Sequence, residues 1–185
     1  MNKETELKFK LTKLPMDRSP NLNKIEPDTI TQTYLVSTAT LQKYLNEFLK
    51  CEIKWNNIKE IRLRKRENSK SINYYLTLKS DGTLERDEYD VVIKLEDYEN
   101  FLSFELEGTL YKKRYTVDLP ETNLKLELDE YTNQLEGLLI AEIEYKKNEY
   151  PNNSQLFEKA KLFLGSDIID VTDDKNYKNR MLVLR

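Results

Sequence analysis

The chain opens with a strict alternation of charged and apolar residues. Between Lys3 and Thr12, every even-numbered residue from Glu4 to Lys10 is charged, and the residues between them are mostly apolar. A period of two residues is typical of a β-strand whose two faces differ. Similar alternation, or enrichment in β-branched and aromatic residues, predicts seven more strands, at residues 29–36, 58–66, 72–80, 85–94, 109–119, 123–131 and 138–147.

Other stretches change to a helical period. Apolar residues three and four positions apart predict helices at residues 37–50, 96–104, 153–164 and 173–179. The chain of 185 residues contains no repeat and no linker, so we expect a single domain over residues 1–185. Within this domain, residues 38–57 are expected to form an inserted helix, and residues 153–182 a C-terminal helical segment.

The charged residues of the predicted strands follow a pattern of their own. On most strands two of them stand two positions apart, so that they share one face and leave the apolar residues on the other. The pairs are Arg62 and Arg64, Arg86 and Glu88, Lys112 and Arg114, Glu127 and Asp129, and Glu142 and Glu144. Cations and carboxylates are concentrated on different strands, and a uniformly solvated face gives no reason for that separation.

The alternation allows two architectures. In one, the sheet turns its charged face to solvent and its apolar face to a core. In the other, eight strands close into a barrel with the charged faces inside, and about three helices cover the apolar exterior. The separation of the charges and the available helices favour the second architecture. The expected fold is therefore mainly β, of the α+β type, with a closed eight-stranded antiparallel β-barrel.

A charged interior restricts what the protein can bind. Buried charges are costly unless they pair with each other or with a ligand. A polyanion that carries a divalent metal would satisfy both sets, because Arg and Lys bind phosphate oxygens and carboxylates bind the metal. The chain has no histidine, so a metal site would use carboxylates, which favours Mg²⁺ or Mn²⁺.

Composition argues against several other classes. The net charge of −3 provides no overall basic field, so nucleic acid is not an expected partner. Cys51 is the only cysteine, which rules out an internal disulfide and suits a reducing compartment. No stretch resembles a signal peptide or a membrane span, so we expect a cytoplasmic protein without a membrane partner.

At these positions the sequence resembles the triphosphate tunnel metalloenzymes, also called the CYTH superfamily, and within it the bacterial inorganic triphosphatase branch. The resemblance covers residues 4 to about 182. Its C-terminal part runs from Asp170 to Asn179, and Asp90 stands where many members carry Glu. The other motifs occur in the family order: Glu4-Thr5-Glu6-Leu7-Lys8, Gln32-Thr33-Tyr34-Leu35, Arg62-Leu63-Arg64, Thr77-Leu78-Lys79, Arg86-Asp87-Glu88, Lys112-Lys113-Arg114-Tyr115, Glu127-Leu128-Asp129 and Glu142-Ile143-Glu144.

The resemblance implies a role for each of these side chains. Mg²⁺ or Mn²⁺ would be held by Glu4, Glu6, Glu142 and Glu144. The triphosphate would be bound by Lys8, Arg62, Arg64, Lys79, Arg86, Lys112, Arg114 and Lys175. The candidates for catalysis are Lys8, Tyr34, Glu88, Glu127 and Asp129, and one of the three carboxylates would orient the attacking water. Simpler roles stay open: packing for Tyr34, an ion pair for Arg86 with Glu88, and solvation for Lys175.

The function implied is metal-dependent hydrolysis of a triphosphate inside the barrel, with inorganic tripolyphosphate cut to pyrophosphate and phosphate. The alternatives are hydrolysis of nucleoside or thiamine triphosphate, class IV adenylate cyclase chemistry, and a non-catalytic sensor of polyphosphate or nucleotides. The expected partner is thus a small-molecule triphosphate. Because family members are often dimers, a homodimer is a further expectation by analogy.

Overall fold

The computed structural model describes residues 2–17, 19, 21–81, 85–150 and 152–184. Within these ranges the side chains of residues 2–4 and 85–87 lie outside the description. Two residues that the sequence assigns to the site, Glu4 and Arg86, are among them. Their side-chain roles therefore stay predictions.

The described part of the chain forms one antiparallel sheet of nine strands. All eight strands predicted from the sequence are present, and β6 begins at residue 106 instead of 109. β9 has only two residues, too few to give a periodic signal. The strands are β1 (Asn2–Leu11), β2 (Asp28–Leu35), β3 (Ile58–Glu67), β4 (Ile72–Ser80), β5 (Glu85–Ile93), β6 (Leu106–Asp118), β7 (Lys125–Tyr131), β8 (Leu139–Tyr145) and β9 (Ile169–Asp170).

Helices occur where the period changes, and the first three confirm the predictions. The insertion at 38–57 holds α1 only as far as Leu49, followed by a 3₁₀ turn at Trp55–Asn57. The α-helices of the described residues are α1 (Ala39–Leu49), α2 (Leu95–Leu102), α3 (Ser154–Leu164) and α4 (Asn179–Val183). None of them has the length and the apolar sequence needed to span a bilayer.

The last helix differs from the prediction. The sequence predicts a helix at 173–179, but Lys175–Tyr177 form a 3₁₀ turn and α4 begins only at Asn179. The Asp174 carboxylate accepts a hydrogen bond of 2.9 Å from the backbone N–H of Asn176 and so caps the short turn. Lys178 is then extended, with φ −66° and ψ 134°, which separates the two elements.

Hydrogen bonding arranges the strands in the order β5-β4-β3-β2-β6-β7-β8-β1-β9. β1 has partners on both edges, because Leu7 stands opposite Ile143 of β8 while Thr5 stands opposite Glu85 of β5. The pairing with β5 extends over Asn2–Thr5. β1 therefore connects strands from the middle and from the late part of the chain.

One half of the apolar face packs against α3. Phe9 of β1, Leu128 of β7 and Ile143 of β8 belong to the same buried cluster as Leu156 and Ala160 of the helix. The alternation of the strands requires this arrangement, since every second side chain is apolar and points to the helix. Burying a side chain such as leucine or phenylalanine contributes roughly 1.5 to 3 kcal/mol.

The other half packs against α1 and α2. Leu63 of β3 and Leu76 of β4 are buried in one cluster with Leu41 of α1 and Phe101 of α2. The inserted helix α1 thus covers part of the apolar face of the sheet. With helices on the apolar face, the charged face lies on the opposite, inner side.

A third apolar cluster lies on the inner side. Tyr34 of β2, Leu110 of β6, Tyr131 of β7 and Ile140 of β8 gather around Leu182 of α4. Three of these strand residues stand two positions from the charged residues Lys112, Asp129 and Glu142, and therefore share a face with them. α4 thus covers one end of the inner space, which we call the α4 end.

Arg180 fastens α4 to the sheet. Its Nε donates to Oε2 of Glu107 at 2.6 Å, and a second guanidinium nitrogen pairs with the other carboxylate oxygen. Its Nη1 also donates to the backbone carbonyl of Lys59 at 2.6 Å. Two-point arginine–carboxylate pairing fixes orientation as well as distance. The position of α4 is therefore set by polar contacts to β3 and β6 in addition to the burial of Leu182.

Gly108 allows α4 to approach β6 closely. Its φ is +154°, and a Cβ at this position would lie 2.4 Å from Cγ1 of Val183. We expect Gly108→Ala to lower the free energy of unfolding by roughly 1 to 3 kcal/mol, because overpacking displaces the helix. Denaturant titration measures this loss.

Gly137→Ala is the matched control for backbone strain. Gly137 also has a positive φ, +90°, but no heavy atom lies within 4 Å of an added Cβ. The loss caused by Gly108→Ala should shrink in a Val183→Ala background, since the clashing methyl group is then absent. An equal loss in both backgrounds would contradict the proposed contact.

Candidate functional site

Charged side chains on the inner face of the sheet surround a cavity of about 50 Å³ beside the α4 end. The lining residues come from strands throughout the sheet and from the segment that precedes α4. Most residues that the sequence assigns to the site line this inner cavity, namely Glu6, Lys8, Tyr34, Arg62, Arg64, Lys79, Glu88, Arg114, Glu142 and Glu144. The structure therefore brings together residues as distant in sequence as Glu6 and Glu144.

A wider cavity of about 690 Å³ continues from the inner cavity, and we call it the mouth cavity. Arg66, Asp90 and Glu127 are added to its lining. The residues that line both cavities are Arg64, Glu88, Arg114 and Glu144. A ligand could thus extend from the mouth cavity into the inner cavity while keeping contact with the same arginines.

Lys8 lies between two carboxylates. Its Nζ is 3.0 Å from Oε1 of Glu6 and 2.9 Å from Oε1 of Glu142. Burial by itself would lower the pKa of Lys8, but the charges of Glu142 and Glu6 outweigh it and raise that pKa above its ordinary value. Lys8 is therefore held as an ammonium ion inside the sheet.

Arg114 is the centre of the largest group of buried charges. Its Nε and Nη2 donate to the two oxygens of Asp129 at 2.6 Å each, and Nη2 also donates to Oε2 of Glu142 at 2.6 Å. Nη1 pairs with Glu127. Burial opposes the charge, yet Asp129, Glu127 and Glu142 together raise the pKa of Arg114. The planar guanidinium thus pairs with carboxylates from both β7 and β8.

Lys112 lies behind Arg114. It is 1% exposed, pairs with Asp129, and its Nζ lies 5.4 Å from the centre of the Tyr131 ring. Burial and the charge of Arg114 lower the pKa of Lys112, although Asp129 acts in the opposite direction. Neither Lys112 nor Asp129 is among the lining residues of the two cavities. Asp129 therefore pairs with the cavity-lining residue Arg114, and Lys112 pairs with Asp129, although neither of them lines a cavity.

Arg62 and Arg64 are connected through two side chains on the neighbouring strands. Nη2 of Arg62 donates to the hydroxyl of Thr77 at 3.1 Å, and that hydroxyl donates to Asp90. The other oxygen of Asp90 accepts from Nη2 of Arg64 at 3.3 Å. Burial and the neighbouring charges of Arg62 and Arg114 lower the pKa of Arg64. Two like charges are thus held side by side by a Thr–Asp bridge.

Glu88 pairs with the cations of β3 and β4. Its Oε2 lies 2.7 Å from Nζ of Lys79, and its Oε1 lies 3.7 Å from Nη2 of Arg62. Tyr34 lies deeper, fully buried, and its hydroxyl accepts a hydrogen bond of 2.9 Å from the Gln32 amide. Tyr34 both packs in the apolar cluster beneath α4 and lines the inner cavity.

The structure also places the predicted residue Lys175 outside both cavities. Lys175 is exposed, on the 3₁₀ turn, and lines neither cavity. Lys178, three residues later, lines the inner cavity together with Asn179. The difference arises because Lys178 is extended and α4 starts after it, whereas the sequence predicts a continuous helix through Lys175.

Sequence reasoning also missed two strand residues that line the inner cavity. Gln32 stands two positions before Tyr34, and Glu60 stands two positions before Arg62. The period of two would have placed both on the inner face. Lys178 carried no such signal, since its position depends on how the C-terminal segment packs.

The carboxylates of the inner cavity fit part of a metal site. Glu6 and Glu142 both contact Lys8, and Glu144 stands opposite Glu6 in the register of β1 and β8. Their hard oxygen atoms are the kind of ligand that Mg²⁺ and Mn²⁺ prefer. Among the described side chains, no three acidic residues form a metal-binding cluster. Glu4, the fourth member of the predicted set, is among the residues whose side chains lie outside the description.

Comparison with known proteins assigns the chain to a class. An inorganic triphosphatase of Nitrosomonas europaea is 34% identical to it over 125 residues, which are 68% of this chain and 75% of that protein. No family model matches the sequence. The chain belongs to the CYTH superfamily of triphosphate tunnel metalloenzymes, in the branch that includes inorganic triphosphatase.

Solved structures agree with this assignment over nearly the whole chain. The crystal structure of the inorganic triphosphatase NE1496 is 26% identical, with a TM-score of 0.56, and the match covers 100% of this chain and 97% of that one. The X-ray structure of a proposed adenylate cyclase from Vibrio parahaemolyticus is 18% identical, with a TM-score of 0.60, over 97% and 98% of the two chains. The second likeness shows the fold alone.

Glu142 offers a test of the buried charges. Burial would raise its pKa, but Lys8, Lys112 and Arg114 together hold that pKa well below its ordinary value of 4.5. A carboxylate with a lowered pKa stabilises the fold above the unfolded-state pKa, and this contribution disappears as the pH falls towards the folded-state value. We expect Glu142→Gln to cost roughly 3 to 5 kcal/mol at neutral pH, because it removes the buried carboxylate that neutralises both Lys8 and Arg114.

The measurement is denaturant titration of both proteins, in the presence of chelator, at pH values on both sides of 4.5. The difference between them should be constant above 4.5 and shrink below it, because the unfolded parent chain then takes up a proton at Glu142 while the folded protein does not, which favours unfolding of the parent. Glu121→Gln, which removes an exposed carboxylate paired with Lys159, is the control and should cause no comparable loss. A difference that grows on acidification would refute this account of Glu142.

Proposed function

We propose that the protein hydrolyses a phosphoanhydride bond of a triphosphate in the inner cavity, with inorganic tripolyphosphate as the preferred substrate. The observation that carries the proposal is the crowding of buried cations around this cavity. Arg62, Arg64 and Arg114 line it together, and the lowered pKa of Arg64 reflects their mutual repulsion along with burial. A bound polyanion would relieve this repulsion, whereas a purely structural core would gain little from it.

The proposal includes closure of the sheet into a barrel, whose interior is the tunnel that holds the triphosphate. The pairing of Asn2–Thr5 with β5, in addition to the pairing of β1 with β8, supports this view. A closed barrel of eight strands leaves an interior wide enough for side chains or one small ligand. The interior then excludes bulk water, and charge interactions with the triphosphate are stronger than they would be at the surface.

The cations that contact the triphosphate would be Lys8, Arg62, Arg64, Lys79 and Arg114. Their present partners are carboxylates, so phosphate oxygens would take the place of carboxylate oxygens at these cations, and a bound metal would neutralise the carboxylates of Glu6 and Glu142. Phosphoryl transfer depends mainly on positioning and on neutralising charge at the transferred group. Lys112 contributes from behind by fixing Asp129, which in turn orients Arg114.

The proposed metal is Mg²⁺ or Mn²⁺, held by Glu4, Glu6, Glu142 and Glu144. When bound, such an ion would neutralise charge on the phosphate oxygens. Glu6 and Glu142 would then hold the metal and no longer pair with Lys8. The Lys8 ammonium would be able to donate to the phosphate instead. The carboxylates and cations that pair with each other in the structure would thus bind the metal and the anion, respectively.

A carboxylate is also needed to orient the attacking water. Both oxygens of Asp129 are engaged by Lys112 and Arg114 away from the cavities, which makes Asp129 a positioning residue. Glu88 lines both cavities and Glu127 lines the mouth cavity. These two are the better candidates, because a general base must come within hydrogen-bond distance of the water.

The proposed function is tested by phosphate release from tripolyphosphate, ATP and thiamine triphosphate, with Mg²⁺, Mn²⁺ or chelator. We expect metal-dependent release that is fastest with tripolyphosphate and at least roughly a hundredfold slower in Glu6→Gln, in line with the loss of an electrostatic contact to the reacting group. The surface variant Glu121→Gln should retain full activity. Preference for another triphosphate would change the substrate, and tight binding without release would favour the sensor.

The Thr77 bridge supplies a second prediction. Thr77→Val keeps the shape but removes the hydroxyl that joins Arg62 to Asp90. We expect KM for tripolyphosphate to rise roughly tenfold, since losing a hydrogen bond to a charged group costs about 1.5 to 3 kcal/mol. Thr77→Ser retains the hydroxyl and should stay near the parent value. Equal effects of both variants would show that packing at Thr77 matters more than the bridge.

A further inference from the structure

Arg64 lines both cavities, yet hydrogen bonds hold its guanidinium only loosely. Its Nη2 donates to Asp90 at 3.3 Å, which is longer than the usual distance of about 2.9 Å for such a bond. Among the residues that the structure describes, the buried Nε of Arg64 has no hydrogen-bond acceptor. Arg114, which also lines both cavities, is held by Asp129, Glu127 and Glu142. The orientation of Arg64 therefore needs another cause.

The aromatic ring of Tyr75 lies against the guanidinium of Arg64. The guanidinium carbon Cζ is 4.6 Å from the centre of the ring. The register of β3 and β4 places the two residues directly opposite each other, and the period of two puts Tyr75 on the same face as Thr77. Tyr75 itself lines neither cavity. The ring therefore contacts Arg64 without occupying the space that a ligand would fill.

The charges around Arg64 explain why an aromatic contact suits this position. Burial lowers the pKa of Arg64, and the charges of Arg62 and Arg114 lower it further, while Asp90 and Glu127 act in the opposite direction. The face of an aromatic ring attracts a cation and also fixes the plane of a guanidinium. Unlike a further carboxylate, the ring does not compete with a bound anion for the N–H groups.

We propose that Tyr75 is a positioning residue, whose ring holds the Arg64 guanidinium in the orientation that binds phosphate oxygens of the substrate. The proposal rests on the proposed function, since it assumes that a triphosphate is bound at Arg64. It adds a residue that lies outside the cavity lining and outside the motifs that carry the family resemblance. Without the ring, we expect the guanidinium to turn towards Asp90 and to lose its alignment with the substrate.

The test changes the electron distribution of the ring while its shape is kept. Binding is measured by calorimetry with a triphosphate analogue whose bridging oxygens are replaced by methylene groups, in the presence of Mg²⁺. Tyr75→Phe keeps the ring and should bind as the parent protein does. Tyr75→pentafluorophenylalanine reverses the charge distribution of the ring, so we expect binding at least roughly fivefold weaker than in Tyr75→Phe. Tyr75→Leu removes the ring and should weaken binding roughly tenfold.

Arg64→Gln shows whether the ring acts through Arg64. In this background Tyr75→Leu should have little further effect, because the guanidinium is already absent. If the ring only supported the packing of the sheet, Tyr75→Leu would weaken binding equally in both backgrounds. Tyr111→Leu, which removes an exposed tyrosine, is the control and should bind as the parent does. Thermal unfolding of all variants checks that the fold is retained.

Equal losses in the two backgrounds would overturn the inference while the proposed function stands. Equal affinities of Tyr75→Phe and Tyr75→pentafluorophenylalanine would do the same, and this comparison remains decisive even if Tyr75→Leu unfolds. If the parent protein cleaves tripolyphosphate but does not bind the analogue, the same comparisons are made on KM for tripolyphosphate. If it does neither and cleaves no other triphosphate, the proposed function and the inference are both overturned.

Discussion

The buried pairing of Arg114 with carboxylates from two other strands is the interaction on which the inner side of the sheet depends. Asp129, Glu127 and Glu142 all pair with this guanidinium, and Glu142 also pairs with Lys8. Buried ions contribute little to stability unless each has a partner with good geometry. The group therefore holds β1, β6, β7 and β8 in a fixed arrangement, and a change in one member disturbs the partners of all others.

The two faces of this sheet reverse the usual pattern: the apolar face is the outer one, and the inner face carries the charges. Helices cover the apolar face, so hydrophobic burial against them holds the sheet without occupying its charged face. The interior is free to carry charges that would be excluded from an ordinary core. Most of the hydrophobic burial and most of the buried charges thus lie on opposite faces of the same strands, which explains why the strands alternate so strictly.

Much of this arrangement follows from the sequence. The period of two predicts the strands and places Arg62, Arg64 and Glu142 on one face, because backbone geometry alone decides which side chains share a side. It cannot tell lining residues from supporting ones, since Lys112 and Arg114 obey the same pattern but only Arg114 reaches the cavities. Lys178 could not be predicted, because its place depends on tertiary contacts of a short segment.

The strand order has a consequence for how the chain folds. β1 can complete its pairing only after β8 exists, and residues such as Leu7 and Ile143 then meet across most of the sequence. Contacts of such long range slow folding, because a large loop must close before any pairing energy is gained. During synthesis most of the first strand would lack its β8 partner until residues 139–145 have left the ribosome. Its charged positions, which serve the interior later, would meanwhile keep it from associating with other chains.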